Sequence, residues 1–142
     1  MDRAALDVAM ALGLPCGGWC PKGRKAEDGV IDARYPLQET PSDSYAQRTE
    51  WNVRDSDGTL VLTRGEPTGG TAQTVEAAQR LGKPCLVLDL EARPDAGAVR
   101  AWVDAHAVNV LNIAGPRESN PPGIYTQAAQ FLRRVLAPLP EK

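Results

Sequence analysis

The sequence predicts a three-layer α/β domain with a mainly parallel sheet, and two observations carry that reading. Short apolar runs alternate three times with segments of helical periodicity. The runs are also continuous rather than alternating, as strands buried on both faces require. They lie at Leu60–Leu62, Cys85–Leu88 and Val108–Ala114, so strands are expected near 59–63, 85–90 and 108–114. A sheet of about four strands is ordinary for a domain of this size.

The elements follow in order. Arg3–Leu12 reads as an Ala-rich helix with Asp2 as its cap and Gly13 closing it. Cys16–Pro21 is a candidate short strand. The stretch Lys22–Ser42 is rich in charge, Pro and Gly and reads as a long, ordered surface loop. Ser44–Asp55 is predicted to be a helix capped by Ser42 or Ser44. Its Gln47, Arg48, Glu50, Asn52 and Arg54 make it too polar to serve packing alone. After the first apolar run, a Gly-rich turn enters a helix that ends near Leu81. Val99, Trp102, Val103 and His106 then fall at i, i+3, i+4 and i+7, one face of a helix. Ile124, Ala128, Phe131, Leu132, Val135 and Leu136 form a last amphipathic stripe, ended by Pro138. A doubly wound sheet ordinarily starts with a strand, whereas this sequence starts with a helix.

At 142 residues the chain is read as one domain, 1–142, able to bury about two-thirds of its unfolded surface without a metal or disulfide. Its 16 Lys and Arg face 18 Asp and Glu, so no global basic field draws it to nucleic acid or anionic lipid. The apolar runs are too short to span a bilayer, and MDRAALDVAM has charges where a signal peptide needs an apolar run. With three cysteines, an odd count, reduced thiols in a cytoplasmic protein are expected. Cys16 and Cys20 lack two further ligands for zinc, since the chain has one His, and no protein-ligated metal is expected. Cys85 reads as a small buried hydrophobe, Trp102 as core, and His106 as a partly buried packing residue. Enzyme, small-ligand carrier and partner-binding functions remain.

Ligands of parallel sheets bind beyond the carboxyl ends of the strands, and two loops have that position. In Arg64–Thr71, Gly69 and Gly70 permit close backbone approach, Thr68 and Thr71 offer hydroxyls, and the helix N-terminus offers N–H groups to an anion. The alternative is a tight turn without a ligand. In Gly115–Gly123, a proline-stiffened loop presents Arg117, Glu118 and Ser119, and Arg117 is suited to bidentate oxyanion binding. Its alternative is a solvated Arg117–Glu118 pair. Lys22, Arg24 and Lys25 form a basic cluster beside Trp19, either solvated or facing an anion. Arg93, in the turn Glu91–Asp95, is expected to be a bystander of the anion site. No Ser–His–Asp arrangement can be assembled around the single His, and GxxxxGK[ST] is absent.

Five motifs carry a family resemblance over nearly the whole chain. They are Gly17–Gly29 (GGWCPKGRKAEDG), Arg34–Leu37 with Glu39–Pro41, Arg48–Asp57 (RTEWNVRDSD), Thr68–Thr71 (TGGT) and Leu111–Ser119 (LNIAGPRES). Together they resemble the molybdenum carrier family, similar to molybdenum cofactor carrier protein, in the Rossmann-like SLOG superfamily. Members usually open with a strand and a loop of the form SGGQTGxDRAALD. Here Met1 directly precedes Asp2–Asp7, so the first strand and its glycine cradle are expected to be missing. The resemblance implies binding and carriage of a phosphorylated small ligand, molybdenum cofactor or a nucleotide derivative. It also implies homo-oligomers and molybdoenzymes as recipients. The expected ligand residues are Arg48, Asn52, Thr68–Thr71, Gly115 and Arg117–Ser119. The competing implication is a nucleoside-monophosphate phosphoribohydrolase. Aligned on PGGxGTxxE, Glu76 would stand in the catalytic place with a nearby Arg, although Ala72 and Gln73 replace the Gly and Thr of the motif's second half.

Overall fold

The computed structural model describes residues 2–26, 29–32, 34–116 and 123–136. Among these the chain forms helix α1 (Asp2–Ala11), then strands β1 (Trp19–Cys20), β2 (Lys25–Ala26), β3 (Gly29–Val30) and β4 (Gln38–Glu39). Helix α2 (Tyr45–Arg54) leads into β5 (Gly58–Thr63), α3 (Gly69–Arg80), β6 (Cys85–Asp89) and a 3-10 turn at Leu90–Ala92. Helix α4 (Ala96–Ala105), β7 (Leu111–Ala114) and α5 (Ile124–Leu136) complete the order.

The main sheet runs β6-β5-β7 and is parallel throughout, with Leu60 opposite both Leu86 and Ile113. The continuous apolar pattern has its predicted consequence at β5, where all six residues are buried. Leu60 and Leu62 face one layer, packing with Ala4 and Val8 of α1, Val99 of α4, and Phe131 and Leu132 of α5. On the other face α2 and α3 join through Val53, Ala77 and Ala78, with Cys85 packed beside them. This is the three-layer α/β arrangement expected. Complete burial of a Leu or Phe side chain contributes about 1.5–3 kcal/mol, so this double-sided core fixes the direction of β5.

Several boundaries differ from expectation for identifiable reasons. Among the described residues the main sheet has three strands, where about four were expected. Its last strand starts at Leu111, not Val108. Val108 N–H donates to the Val103 carbonyl as α4 ends, and the Asp57 carboxylate takes the N–H groups of Asn109 (3.0 Å) and Val110 (2.8 Å). Those residues are therefore spent on a turn before the strand begins. Helix α1 already includes Asp2 rather than starting after it, and Gly13, at φ +71°, closes it as expected. The edge strands β6 and β7 are only half-buried, with Val87 38% exposed. No helix among the described residues is long and apolar enough to cross a membrane.

The described residues of the Lys22–Ser42 stretch are tied together by one arginine. Arg24 donates to the carbonyls of Ile31 (3.1 Å), Asp32 (2.8 Å), Tyr35 (3.0 Å) and Leu37 (3.2 Å). Beneath it, Leu6, Cys20, Ile31 and Tyr35 form a small second core. Within the stretch β2 pairs antiparallel with β3, and β4 runs parallel to β1. Asp7 ties this region to the main layers by accepting from the hydroxyls of Tyr35 (2.8 Å) and Tyr125.

Candidate functional site

The chain leaves β5 toward α3 on one face of the sheet and leaves β7, its neighbour, toward α5 on the other. Such divergence opens a crevice at the carboxyl edge, where ligands of doubly wound sheets bind. A cleft of about 250 Å³ lies there. Its first wall is the start of α3, from Thr68 to Thr74, and its second is the end of β7, Asn112 with Ala114–Pro116. The third wall is α2, which presents Tyr45, Arg48, Thr49 and Asn52. Those four fall at i, i+3, i+4 and i+7, one helical stripe.

Each wall follows from local chemistry. Helix α2 starts where predicted because Ser44 caps it, its hydroxyl accepting from Ala46 N–H at 3.2 Å. Helix α3 starts from the extended Thr68, whose side chain makes no capping bond. The first N–H groups of a helix have no intrahelical partner and carry partial positive charge. Thr71 N–H turns back to the Thr68 carbonyl at 3.1 Å. Gly69 has φ +52°, a left-handed conformation that disfavours a side chain, and a Cβ at either Gly69 or Gly70 would meet no atom within 4 Å. The space over both glycines is therefore open to an incoming group. Of the described lining residues, Arg48 is the cation and none is acidic. Its guanidinium lies 5.5 Å from the centroid of the Tyr45 ring.

The structure thus brings Arg48, Asn52, Thr68, Gly69, Gly70, Thr71 and Gly115 to one cleft. Arg117, Glu118 and Ser119 lie outside the described residues. Asn52 has a second engagement: its Oδ1 accepts from Trp19 N–H at 2.8 Å and its Nδ2 donates to the Trp19 carbonyl at 3.2 Å. A Cβ on Gly18 would sit 3.1 Å from that Oδ1, which accounts for a glycine there. Sequence reasoning missed Tyr45, Thr49, Gln73, Thr74, Asn112, Ala114 and Pro116 as lining residues. The polar i, i+3, i+4, i+7 stripe of α2 was the available signal. Asn112 was marked by being the one polar residue in its strand, and it donates to Thr59 Oγ1 at 3.3 Å.

A family model for circularly permuted YpsA SLOG proteins matches residues 1–136. The chain belongs to the circularly permuted YpsA SLOG family. Among solved structures, a crystal structure described as a putative molybdenum carrier protein from Syntrophus aciditrophicus SB is similar to this SLOG chain. They share 46% sequence identity, with a TM-score of 0.90, over 96% of this chain and 88% of that one. The resemblance to molybdenum carriers within the SLOG superfamily therefore holds. No curated protein matches this SLOG chain.

Other candidates in the SLOG fold stand elsewhere. Glu76 is exposed on α3 and does not line the cleft, so the phosphoribohydrolase reading loses its proposed catalytic carboxylate. Arg93 is also outside the cleft. Arg24, one member of the basic cluster, is engaged by backbone carbonyls and so has a structural task. His106 is exposed rather than partly buried, because it is the residue that ends α4; its ring lies 5.5 Å from that of Trp102. Trp102 is half-buried, against the expectation of a core residue, and fits closely over Gly58. Cys85 is half-buried rather than buried, and desolvation pushes its thiol up from 9.0. Cys16, Cys20 and Cys85 are free thiols, and among the described residues no three His, Cys, Asp or Glu side chains cluster as metal ligands.

Proposed function

We propose that this SLOG domain binds and carries a phosphorylated small ligand, with the phosphate seated on the Gly69–Gly70 turn at the start of α3. The observation that carries this reading is the meeting of an open glycine turn, a helix N-terminus and Arg48 in a cleft lined, among the described residues, by no acidic side chain. A dianion gains there from N–H donors, the helix dipole and a guanidinium together. Molybdenum cofactor, a pterin with a terminal phosphate, suits the donor set and agrees with the description of the similar structure. Arg48 and the α3 N-terminus would hold its phosphate, while Asn112, Thr49 and Gln73 offer polar groups for a ring edge. A nucleotide derivative has the same phosphate chemistry and is the second ligand class. Pockets that enclose a drug-sized ligand hold roughly 300–1,000 Å³. At about 250 Å³ the cleft suits a phosphate and one flat edge, leaving the remainder of a larger ligand accessible to a recipient, such as a molybdoenzyme.

The test is mass spectrometry of small molecules released from protein purified without oxygen. A pterin phosphate supports the cofactor carrier, and a nucleoside phosphate supports the second ligand class. Absence of any phosphorylated molecule, together with no binding of AMP or a pterin monophosphate added afterwards, would count against both. We further propose self-association, because β6 and β7 border the described sheet with half-buried apolar residues and exposed Val87. Sedimentation at tens of micromolar should show more than a monomer; a clean monomer would contradict this.

A further inference from the structure

Helices α2 and α3 pack side by side, and their register decides what faces the Gly69–Gly70 turn. Val53, near the end of α2, packs with Ala77 and Ala78 of α3. The interval from Tyr45 to Val53 equals those from Gly69 to Ala77 and from Gly70 to Ala78. Both helices rise by about 1.5 Å per residue, so counting back from that contact brings Tyr45 level with the turn. The lining of the cleft agrees, since Tyr45 and both glycines border the same space. Packed helix axes stand about 8–10 Å apart, a gap that an aromatic side chain reaches well into. Tyr45 is half-buried and lines the cleft, so part of its ring surface is accessible there. One turn further on, the Arg48 guanidinium lies 5.5 Å from the ring centroid, inside the cation–π reach of about 6 Å. The cation given to the phosphate therefore stands beside an aromatic ring. On the β7 wall, Ala114 and Pro116 add small apolar side chains.

We infer that Tyr45 is a specificity-determining residue of the cleft: the flat ring of the ligand stacks against it while the phosphate rests on the Gly69–Gly70 turn. This rests on the cleft reading and goes beyond it by assigning the ring and narrowing the ligand class. The class is a phosphate monoester with a flat heterocycle a short linker away from the phosphate. Contacts to phosphate are common to every phosphate monoester, so the turn and Arg48 cannot separate a heterocycle from a sugar phosphate. An aromatic face separates them, because a flat π system gains contact there that a hydrated sugar does not. If Tyr45 served only the packing of α2, replacing it would change stability and leave the choice among phosphates untouched.

The experiment is an NMR titration of the ¹⁵N-labelled protein, read at the amides of Thr68–Thr71. The probes are AMP, a pterin monophosphate and ribose 5-phosphate, which keeps the phosphate and lacks the ring. The parent should bind the first two more tightly than the third. Tyr45→Ala and Tyr45→Leu should raise the Kd for AMP and the pterin monophosphate about tenfold to a hundredfold and leave that for ribose 5-phosphate unchanged. Tyr45→Phe, which keeps the ring, should bind all three as the parent does. Tyr45→Leu keeps apolar bulk without a π face, and melting temperatures verify that each variant folds. Arg48→Ala should weaken all three probes, because they share the phosphate. Equal losses for AMP and ribose 5-phosphate in Tyr45→Ala and Tyr45→Leu would overturn the inference and leave the cleft reading standing. So would a Tyr45→Phe protein that loses affinity for all three, which would put the hydroxyl on the phosphate. A parent that binds ribose 5-phosphate as tightly as AMP would also overturn it. No shift at Thr68–Thr71 with any probe would remove the cleft reading, and this inference with it.

Discussion

Adding one methyl group at each of the two cradle glycines should move stability in opposite directions while weakening the same ligand. Gly70 has no positive φ and lies in the first turn of α3, and its Cβ would meet nothing within 4 Å. Gly70→Ala therefore removes unfolded-state freedom without a clash and should stabilise by about 0.4–1 kcal/mol. Gly69 has φ +52°, where a side chain costs roughly 1–2 kcal/mol, so Gly69→Ala should destabilise by about that amount. For a chain near this length, 1 kcal/mol corresponds to a shift of about 2–4 °C in melting temperature. Both methyls meet open space, and the cradle proposal puts the phosphate over these two glycines. Loss of a charge-assisted contact there, worth about 1.5–3 kcal/mol, weakens binding about tenfold to a hundredfold. Calorimetry with AMP and a pterin monophosphate, alongside thermal denaturation, reads both effects. A Gly70→Ala protein that melts higher and binds as tightly as the parent would refute the cradle. Equal melting shifts at the two glycines would refute the backbone argument.

Three further outcomes are expected. Arg48→Ala should weaken phosphate-ligand binding about tenfold or more, whereas Glu76→Gln should leave it unchanged by calorimetry, since Glu76 stands outside the cleft. Asn52→Ala removes two hydrogen bonds to Trp19, each contributing about 0.5–1.5 kcal/mol, and should lower urea stability accordingly while raising hydrogen exchange at Trp19. Donation to Asp7 pushes the Tyr125 phenol up from 10.0 to about 12. A raised folded value contributes stability that is complete below pH 10.0 and is lost as pH rises toward about 12, so parent stability should fall in that window and Tyr125→Phe should flatten the slope.

The fold was legible where patterns are long or chemically marked. The continuous run at Leu60–Leu62 identified the buried central strand, and the stripe from Ile124 to Leu136 identified α5, because burial on a fixed period is written directly into residue order. Ser44 and Gly13 marked helix ends through their own capping chemistry. The start of β7 was not legible, because Val108 and Val110 have strand-like side chains while Asp57, distant in sequence, captures the local N–H groups. Lys22–Ser42 was read as an ordered loop, but what orders it was hidden: one arginine meets four carbonyls, and no local pattern announces that. For the site, Thr68–Thr71 and Gly115 were readable from their place after strands. Tyr45, Thr49 and Asn112 become lining residues only when three walls meet in space. Arg48 and Asn52 were reached through the family motif, and the clamp of Asn52 on Trp19 required the coordinates.

The central claim is that the Gly69–Gly70 turn holds a phosphorylated ligand, and the most direct measurement compares what the parent and Gly70→Val proteins retain. Both would be purified without oxygen, denatured, and their released small molecules quantified by mass spectrometry and phosphorus NMR. The parent should release a phosphorylated pterin or nucleotide in near-stoichiometric amount, and folded Gly70→Val should release little or none. Equal retention of the same molecule by both proteins would contradict the account.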